Sequence, residues 1–374
     1  MINEASHMTI AQQRATPVAR PKGRKLDFLI ACFNRSKHLH HILETGLALN
    51  IPGAYFVVFD DASNLAEDVP GLGPATLETV CRSFNDDRVI YIRNPTNMGV
   101  TKSLVRYYRE FCDAEYTSLL NPKDEFIDGQ PIIDALGKLD ADPALSFVVY
   151  PLRQIDRHES DKPLLFKYSR MSGRDFVARH VRDTTLQHVS GYAIMRVSSA
   201  RKAGIPRDLD LRARGLEDAS GIDHDMIFNM ATTGDVEFVD EPPIRRKITD
   251  GYTERYPLTF AYSQYQYARR LMRELEPQGI VSAETRRLYI SWWHLLIARG
   301  LIVAYRHVYG SEEEDGVKRI RPHLPMPILL YLPAECVRFR VLPRSETIRT
   351  YLLGAYLMSV AQLKTILQIE RTSK

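Results

Sequence analysis

Apolar and polar positions alternate along the first two thirds of the chain in a pattern that predicts strands and helices in turn. Residues 26–31 (LDFLIA) form a short apolar run suited to a buried strand. Asn34-Arg35-Ser36 follows, with Ser36 expected as a helix N-cap. Leu39, Ile42, Leu43, Gly46 and Leu47 then recur at helical spacing, so one stripe of that helix faces a core. Residues 55–59 (YFVVF) predict a second buried strand, which ends in the turn-forming cluster Asp60-Asp61-Ala62-Ser63-Asn64. Residues 89–92 predict a third, closed by Asn94-Pro95. Asn97-Met98-Gly99 leads into a helix with Leu104, Val105, Tyr108 and Cys112 on its inner side. Residues 116–120 predict a fourth strand, running into Asn121-Pro122-Lys123-Asp124-Glu125.

The alternation predicts an α/β fold with a mostly parallel sheet and helices on both faces. In such sheets ligands sit beyond the carboxyl ends of the strands. The clusters Asn34-Arg35, Asp60-Asp61 and 121–125 all fall at those ends, which places a polar pocket there. Further on, strands are expected at residues 146–150, 191–197 and 236–239, and a helix at 223–233 that stops at Gly234. After about Gly251 the texture changes. Residues 262–275, 283–309 and 346–369 read as helices, giving a helical C-terminal unit over 252–374 after a domain spanning 26–251.

Composition narrows this picture. The chain has 374 residues, 44% hydrophobic and 26% charged, enough for a substantial core and about right for two domains. The net charge of +4 is too mild to point to nucleic acid. The four cysteines form no CxxC pair, which argues against a zinc site or disulfide framework and for a reducing compartment. Residues 1–25 are polar and basic, lack the apolar run of a signal peptide, and read as a disordered lead. No stretch approaches the roughly 18 apolar residues of a membrane span. A cytoplasmic protein is expected, with the cytoplasmic face of an inner membrane left open.

The order of motifs resembles the family-2 glycosyltransferases. The family's P-T-Y-N-R is matched by Ala31-Cys32-Phe33-Asn34-Arg35, its V-D-D-G-S by Phe59-Asp60-Asp61-Ala62-Ser63, and its R-N-x-x-N-x-G by 93–99. A loose G-x-x-x-x-x-R follows at 191–197. Then come Ile222-Asp223-His224-Asp225, Gly234 and Val239-Asp240-Glu241-Pro242 for the family's E-D helix start, glycine and V-P-E-P turn. The resemblance covers roughly three fifths of the chain. It implies a GT-A fold and transfer of a sugar, with inversion, from a UDP, GDP, dTDP or CMP donor to a glycan or lipid-linked acceptor, in surface polysaccharide or lipopolysaccharide synthesis. It also implies roles. Phe33 and Arg35 would lie by the nucleotide. Asp61, with Asp60 beside it, would bind base or ribose, and Asn97 and Gly99 would shape the loop near the base. Asp223 would be the general base. A helix N-terminus favours an ionised carboxylate, which suits that role and equally suits a plain N-cap. Asp225 is the nearest rival, and Glu217-Asp218 a weaker one.

The pattern breaks at the family's D-x-D, whose carboxylates hold Mg²⁺ or Mn²⁺. Asn121 and Lys123 stand at those positions, and Thr249 stands where many relatives have a histidine. Hard divalent cations favour carboxylate oxygens. The expectation is an enzyme without a tightly bound metal, with Lys123 and Lys247 or Arg245 supplying charge to the leaving phosphate. A shifted metal site on Asp124 or Glu125 is the alternative.

His38, His40 and His41 read as a solvated or partly packed helix face. His188 and His224 flank the acceptor side, and Tyr192 is expected to line the acceptor pocket. Trp292-Trp293 and the apolar segments after them, among Arg338, Arg340, Arg344 and Arg349, leave three readings open: core packing, a homodimer, or contact with an anionic bilayer. Among rival functions, a sugar-phosphate nucleotidyltransferase would carry G-x-G-T-R after the first strand, and a dinucleotide oxidoreductase G-x-G-x-x-G. Neither motif is present. A nucleotide- or glycan-binding module that kept the fold without turnover stays open.

Overall fold

The computed structural model describes residues 23–155, 161–163, 166–180, 192–204 and 222–247, with Leu186 and a few positions between 273 and 286. Most of the expected helical unit over 252–374, residues 1–22 of the basic lead, His188 and the rivals Glu217 and Asp218 lie outside the described residues.

The apolar runs become strands as expected, lengthened by a residue or two where the backbone pairing continues. They are β1 (Leu26–Cys32), β2 (Ala54–Asp60), β5 (Val89–Arg93), β6 (Tyr116–Leu120), β8 (Leu145–Val149), β12 (Ala193–Arg196) and β13 (Asp235–Phe238). With the short β11 (Arg170–Met171) they form one eight-stranded sheet in the order β11-β13-β8-β12-β6-β1-β2-β5. β1 pairs in parallel with both β2 and β6, and β2 with β5. β12 and β11 are the antiparallel members.

Each central strand divides its side chains between two cores, because successive residues point to opposite faces. Phe28, Ile30, Phe56 and Val58 join one core with α1 (Ser36–Ala48), α2 (Leu77–Ser83) and α4 (Gln130–Ala141). Leu29, Val57 and Phe59 join the other with α3 (Gly99–Arg106), α5 (Gly173–His180), α6 (Val197–Lys202) and α7 (Ile222–Ala231). The helical stripe read from sequence is the buried face of α1: Leu39, Ile42, Leu43, Gly46 and Leu47 are all buried. One expectation is corrected. Ser36 is the first residue of α1 rather than its cap, because Arg35 takes the preceding position and neither side chain caps the helix. The helix after Gly99 also changes character. It continues as a π-helical turn, Tyr107–Phe111, which still buries Tyr108 and Cys112 as expected.

That turn delivers Tyr107 to the one charged residue inside β1. Asp27 is fully buried, and Arg24 grips it with two hydrogen bonds of 2.8 Å, while the Tyr107 hydroxyl donates a third at 2.6 Å. Arg24 also donates to the Phe111 carbonyl at 3.0 Å, so the pair ties β1 to the end of the π turn.

Several short elements carry too few residues to show a period in sequence: β3 (Glu67–Val69) and β4 (Gly73–Ala75), and β7 (Asp124–Phe126), β9 (Leu152–Ile155), β10 (Asp161–Pro163) and β14 (Ile244–Lys247). The last four make a second sheet in the order β10-β9-β14-β7. It is docked on α1 through Phe126, whose ring packs edge-on to Phe28 and Phe56. Gly46 permits this approach, since a Cβ there would meet Phe56 at 2.6 Å and Phe126 at 2.9 Å.

Replacing Asp27 by alanine leaves Arg24 buried without its counter-charge. Chemical denaturation should show a loss of about 3–5 kcal/mol, the range for breaking a buried pair from one side.

Candidate functional site

The site follows from register. Cys32 pairs with Asp60, and Ile30 with Leu120, so β1, β2 and β6 end almost level. Neighbouring strands lie ~4.8 Å apart, which sets the ends of β2 and β6 about 10 Å from each other across β1. The chain leaves β1 through α1 toward β2, and leaves β6 toward β8 on the opposite side. Such a reversal opens a crevice at the strand ends. Phe33, Asn34 and Arg35 project from β1 at this crevice, Asp60 and Asp61 from β2, and Asn121, Pro122 and Lys123 from β6.

Asp60 and Asp61 are nearly buried and are used within the protein. Asp60 accepts the Ser63 amide at 2.7 Å on one oxygen, and the Tyr91 hydroxyl and the Arg93 guanidinium on the other. Asp61 accepts the amides of Met98 at 2.7 Å and Gly99 at 2.8 Å, which are the unpaired donors at the start of α3, together with the Asn94 side chain at 3.0 Å. Its oxygens face three donors of its own chain, and its effect on the crevice is to fix residues 94–99. Asn34 performs the same service across the gap. At φ 53° it turns back so that its side-chain oxygen accepts the amides of Asn64 and Leu65. Ala62, where the resembling family has glycine, also adopts a left-handed φ of 62°. Phe33, Arg35 and Asn97 remain exposed on the loops these braces hold.

On the β6 side, Asn121-Pro122-Lys123-Asp124 closes as a tight turn, with the Asp124 amide donating to the Asn121 carbonyl at 2.9 Å and the Lys123 amide to the Asn121 side chain at 3.1 Å. Asn121 is exposed and Lys123 half-buried. Arg35 and Lys123 lie near enough to His38, one turn into α1, to act on its titration. Burial first, then Arg35 and, more weakly, Lys123 lower its pKa below the usual imidazole value, against Glu67. Arg35 and Lys123 thus stand on the side of the amino end of α1, where the Glu67 carboxylate already accepts the Lys37 amide at 3.0 Å.

Asp124 is completely buried, and both its oxygens bond to the Arg246 guanidinium, at 2.6 and 3.1 Å. Glu125 pairs with Arg245 at 2.6 and 3.1 Å. Burial works against its ionisation, but the Arg245 bond and charge hold its carboxyl below the usual range. The donor set at the family's metal position is thus an amide, an ammonium and a carboxylate already committed to an arginine. These residues do not fit a hard divalent cation. Among the described residues, no three His, Cys, Asp or Glu side chains stand together as metal ligands.

β14 pairs antiparallel with β7, Arg246 opposite Asp124, so Lys247 comes one residue further on the side of the Lys123 turn. The backbone of Asp223 is in the first turn of α7. That helix packs on β8 and leads directly into β13, which runs parallel to β8. It must therefore run back along the sheet, and its amino end lies toward the strand ends that carry the crevice. The backbones of Asp223 and its neighbour Asp225 thus lie on the side of the sheet where Asp61 and Lys123 stand. Tyr192 is buried, its hydroxyl 3.4 Å from Asp124 and its ring under the Arg246 guanidinium at 4.8 Å. Its place is as packing beneath the Lys123 turn. No sequence signal marked Arg246 or Tyr91 as braces of this site, since their partners Asp124 and Asp60 are distant in the chain.

The architecture has counterparts among solved structures. The crystal structure of S. aureus TarS 1-349 superposes with a TM-score of 0.55 at 14% identity, covering 91% of this chain and 92% of that one. The same segment in complex with UDP-GlcNAc gives 0.58 at 12% identity, with 91% and 92% covered. A longer TarS structure gives 0.55, and the chain spans 54% of its length. The chain has a GT-A-type α/β fold. No protein-family model matches the sequence, and no curated protein matches it. Among the described residues, no helix is long and apolar enough to cross a membrane.

Alanine at Asp61 should release the start of α3 and cost about 2 kcal/mol, the scale of charge-assisted hydrogen bonds lost at a helix end, read from urea unfolding. A second outcome concerns pH. The folded-state pKa of His38 is lowered, so the unfolded chain binds its proton more readily. Stability should therefore fall as pH drops through about 6.5, the unperturbed imidazole value. The fall between pH 7 and 5.5 should be shallower in His38→Gln, and equal slopes in the two proteins would contradict the assignment.

Proposed function

We propose that this chain is a glycosyltransferase that uses a nucleotide-activated sugar and transfers it, with inversion, to a hydroxyl of a glycan or lipid-linked acceptor. The observation that carries the reading is the crevice where β1, β2 and β6 end level and the connections leave in opposite directions, with Arg35 and Lys123 on the loops that follow β1 and β6. Ligands of such sheets sit in that crevice, and two cationic side chains beside it suit an anionic one. The motif order supports the same reading, as does a likeness of fold to a protein crystallised with UDP-GlcNAc.

In this reading the nucleoside lies along the loops held by Asn34, Asp60 and Asp61, with Phe33, Arg35 and Asn97 as its contacts and Gly99 setting the loop. The diphosphate lies toward Asn121, Lys123 and Lys247. Lys123 and Lys247 take up the negative charge that develops on the leaving nucleotide, the part a divalent cation plays where D-x-D is present. Fixed positive groups in a water-poor cleft oppose that charge with little reorganisation. Arg245 is left out of this role because its guanidinium is paired with Glu125. Asp223, at the start of α7, deprotonates the acceptor hydroxyl as it attacks the anomeric carbon, and the helix amino end keeps the carboxylate ionised.

A thermal-shift screen with UDP, GDP, CMP and dTDP tests the binding half, because a ligand of the folded state raises the melting temperature. One of the four should do so in excess EDTA. Slow donor hydrolysis by the same protein tests the chemistry. Asp223→Asn should lower the transfer rate about a hundred- to ten-thousand-fold, the usual range for general-base loss, with the nucleotide shift retained. Hydrolysis that vanishes in EDTA and returns with Mn²⁺ would reinstate a metal. Nucleotide binding with no turnover toward any donor would favour the non-catalytic module.

A further inference from the structure

Asp124 is an unusual residue for a loop at a ligand crevice. It follows Lys123 directly, yet its carboxylate is fully buried. Besides Arg246, it accepts the backbone amide of Asn121 at 2.8 Å. The same carboxylate therefore closes the turn that presents Lys123 and ties that turn to β14, the strand that carries Lys247. Arg246 is held from both sides, by the carboxylate and by the face of Tyr192. Arginine suits this place because its planar fork bonds a carboxylate with two donors while stacking on an aromatic ring.

We infer that Asp124 and Arg246 are a positioning pair, which fixes the turn of Asn121, Pro122 and Lys123 against β14 so that the turn is presented in one place to an anionic leaving group. This rests on the reading of the site given above and adds to it a division of labour. Lys123 touches the anion, and Asp124 acts only through Lys123. A lysine is a long, flexible side chain, so its own chemistry does not fix where its turn stands. The buried ion pair of its neighbour in sequence supplies that restraint. The contrast with the D-x-D pattern is physical: there a cation draws carboxylates together, whereas here an internal pair fixes the turn that carries a cation.

A double-mutant cycle on donor hydrolysis separates the possibilities, using the full chain as wild type, Lys123→Ala, Asp124→Asn and the double variant. Asp124→Asn keeps the shape of the side chain and removes its charge. It should lower kcat about ten- to a hundred-fold, the scale of misplacement near a reacting centre. It should leave the UDP-induced thermal shift of the wild type largely in place. The double variant should be no slower than Lys123→Ala within about twofold, since the turn has nothing left to position. Arg246→Lys keeps the charge without the fork and should fall between wild type and Asp124→Asn. It also serves as the readout if Asp124→Asn does not fold. Losses that multiply in the double variant overturn the pairing, as does a normal rate in Arg246→Lys. A changed Mn²⁺ requirement in Asp124→Asn would make Asp124 a metal ligand and overturn it too. Failure of the wild type to bind any nucleotide would instead remove the parent reading, and this one with it.

Discussion

β1 carries apolar side chains on both faces, so it is stable only where helices cover it above and below and a strand pairs with it on each side. That single constraint organises the molecule. Burying β1 between β2 and β6 forces their polar continuations to emerge together, at one edge, within about 10 Å of one another. Three chain segments far apart in sequence are thereby brought to a common crevice by the packing of residues that never touch a ligand. The cost of placing a charge in the middle of this strand is met by Arg24 and Tyr107, which enclose Asp27.

Carboxylates at this edge serve mainly to hold loops. Asp60 secures the turn after β2, and Asp61 holds the start of α3. Asp124 holds the turn after β6. Each takes donors that would otherwise lie unpaired in a buried place, where an unmet N–H costs more than a hydrogen bond returns. The loops these braces hold carry aromatic, amide and cationic side chains: Phe33, Asn97, Asn121, Arg35 and Lys123. Cationic groups on those loops suit an anionic ligand, which is the basis of the proposed chemistry.

The second sheet extends this logic. Phe126 anchors it to α1 and the main core, and Gly46 makes room for the contact. Once β7 is anchored, its pairing with β14 brings Arg245 and Arg246 opposite Glu125 and Asp124. Two acidic and two basic residues cancel there, and Lys123 and Lys247 are the charges that flank them.

Local pattern was sufficient for the long elements. The apolar runs of β1, β2, β5 and β6 and the stripe of α1 each bury enough surface to dictate their own conformation, so the parallel α/β architecture and its polar edge were legible in the residues alone. The motif order likewise pointed to the GT-A fold. Short strands such as β7 and β14 were not legible, because three or four residues set no period and are strands only by virtue of their partners. The bracing role of Asp61 was hidden for a related reason. A carboxylate at a strand end has the same sequence whether it faces a ligand or the amides of Met98 and Gly99, and only the return of α3 to that spot decides which. The Asp124–Arg246 pair spans 122 positions of the chain. Its existence is a property of the folded sheet, since the energy that selects it arises only when distant segments are buried together.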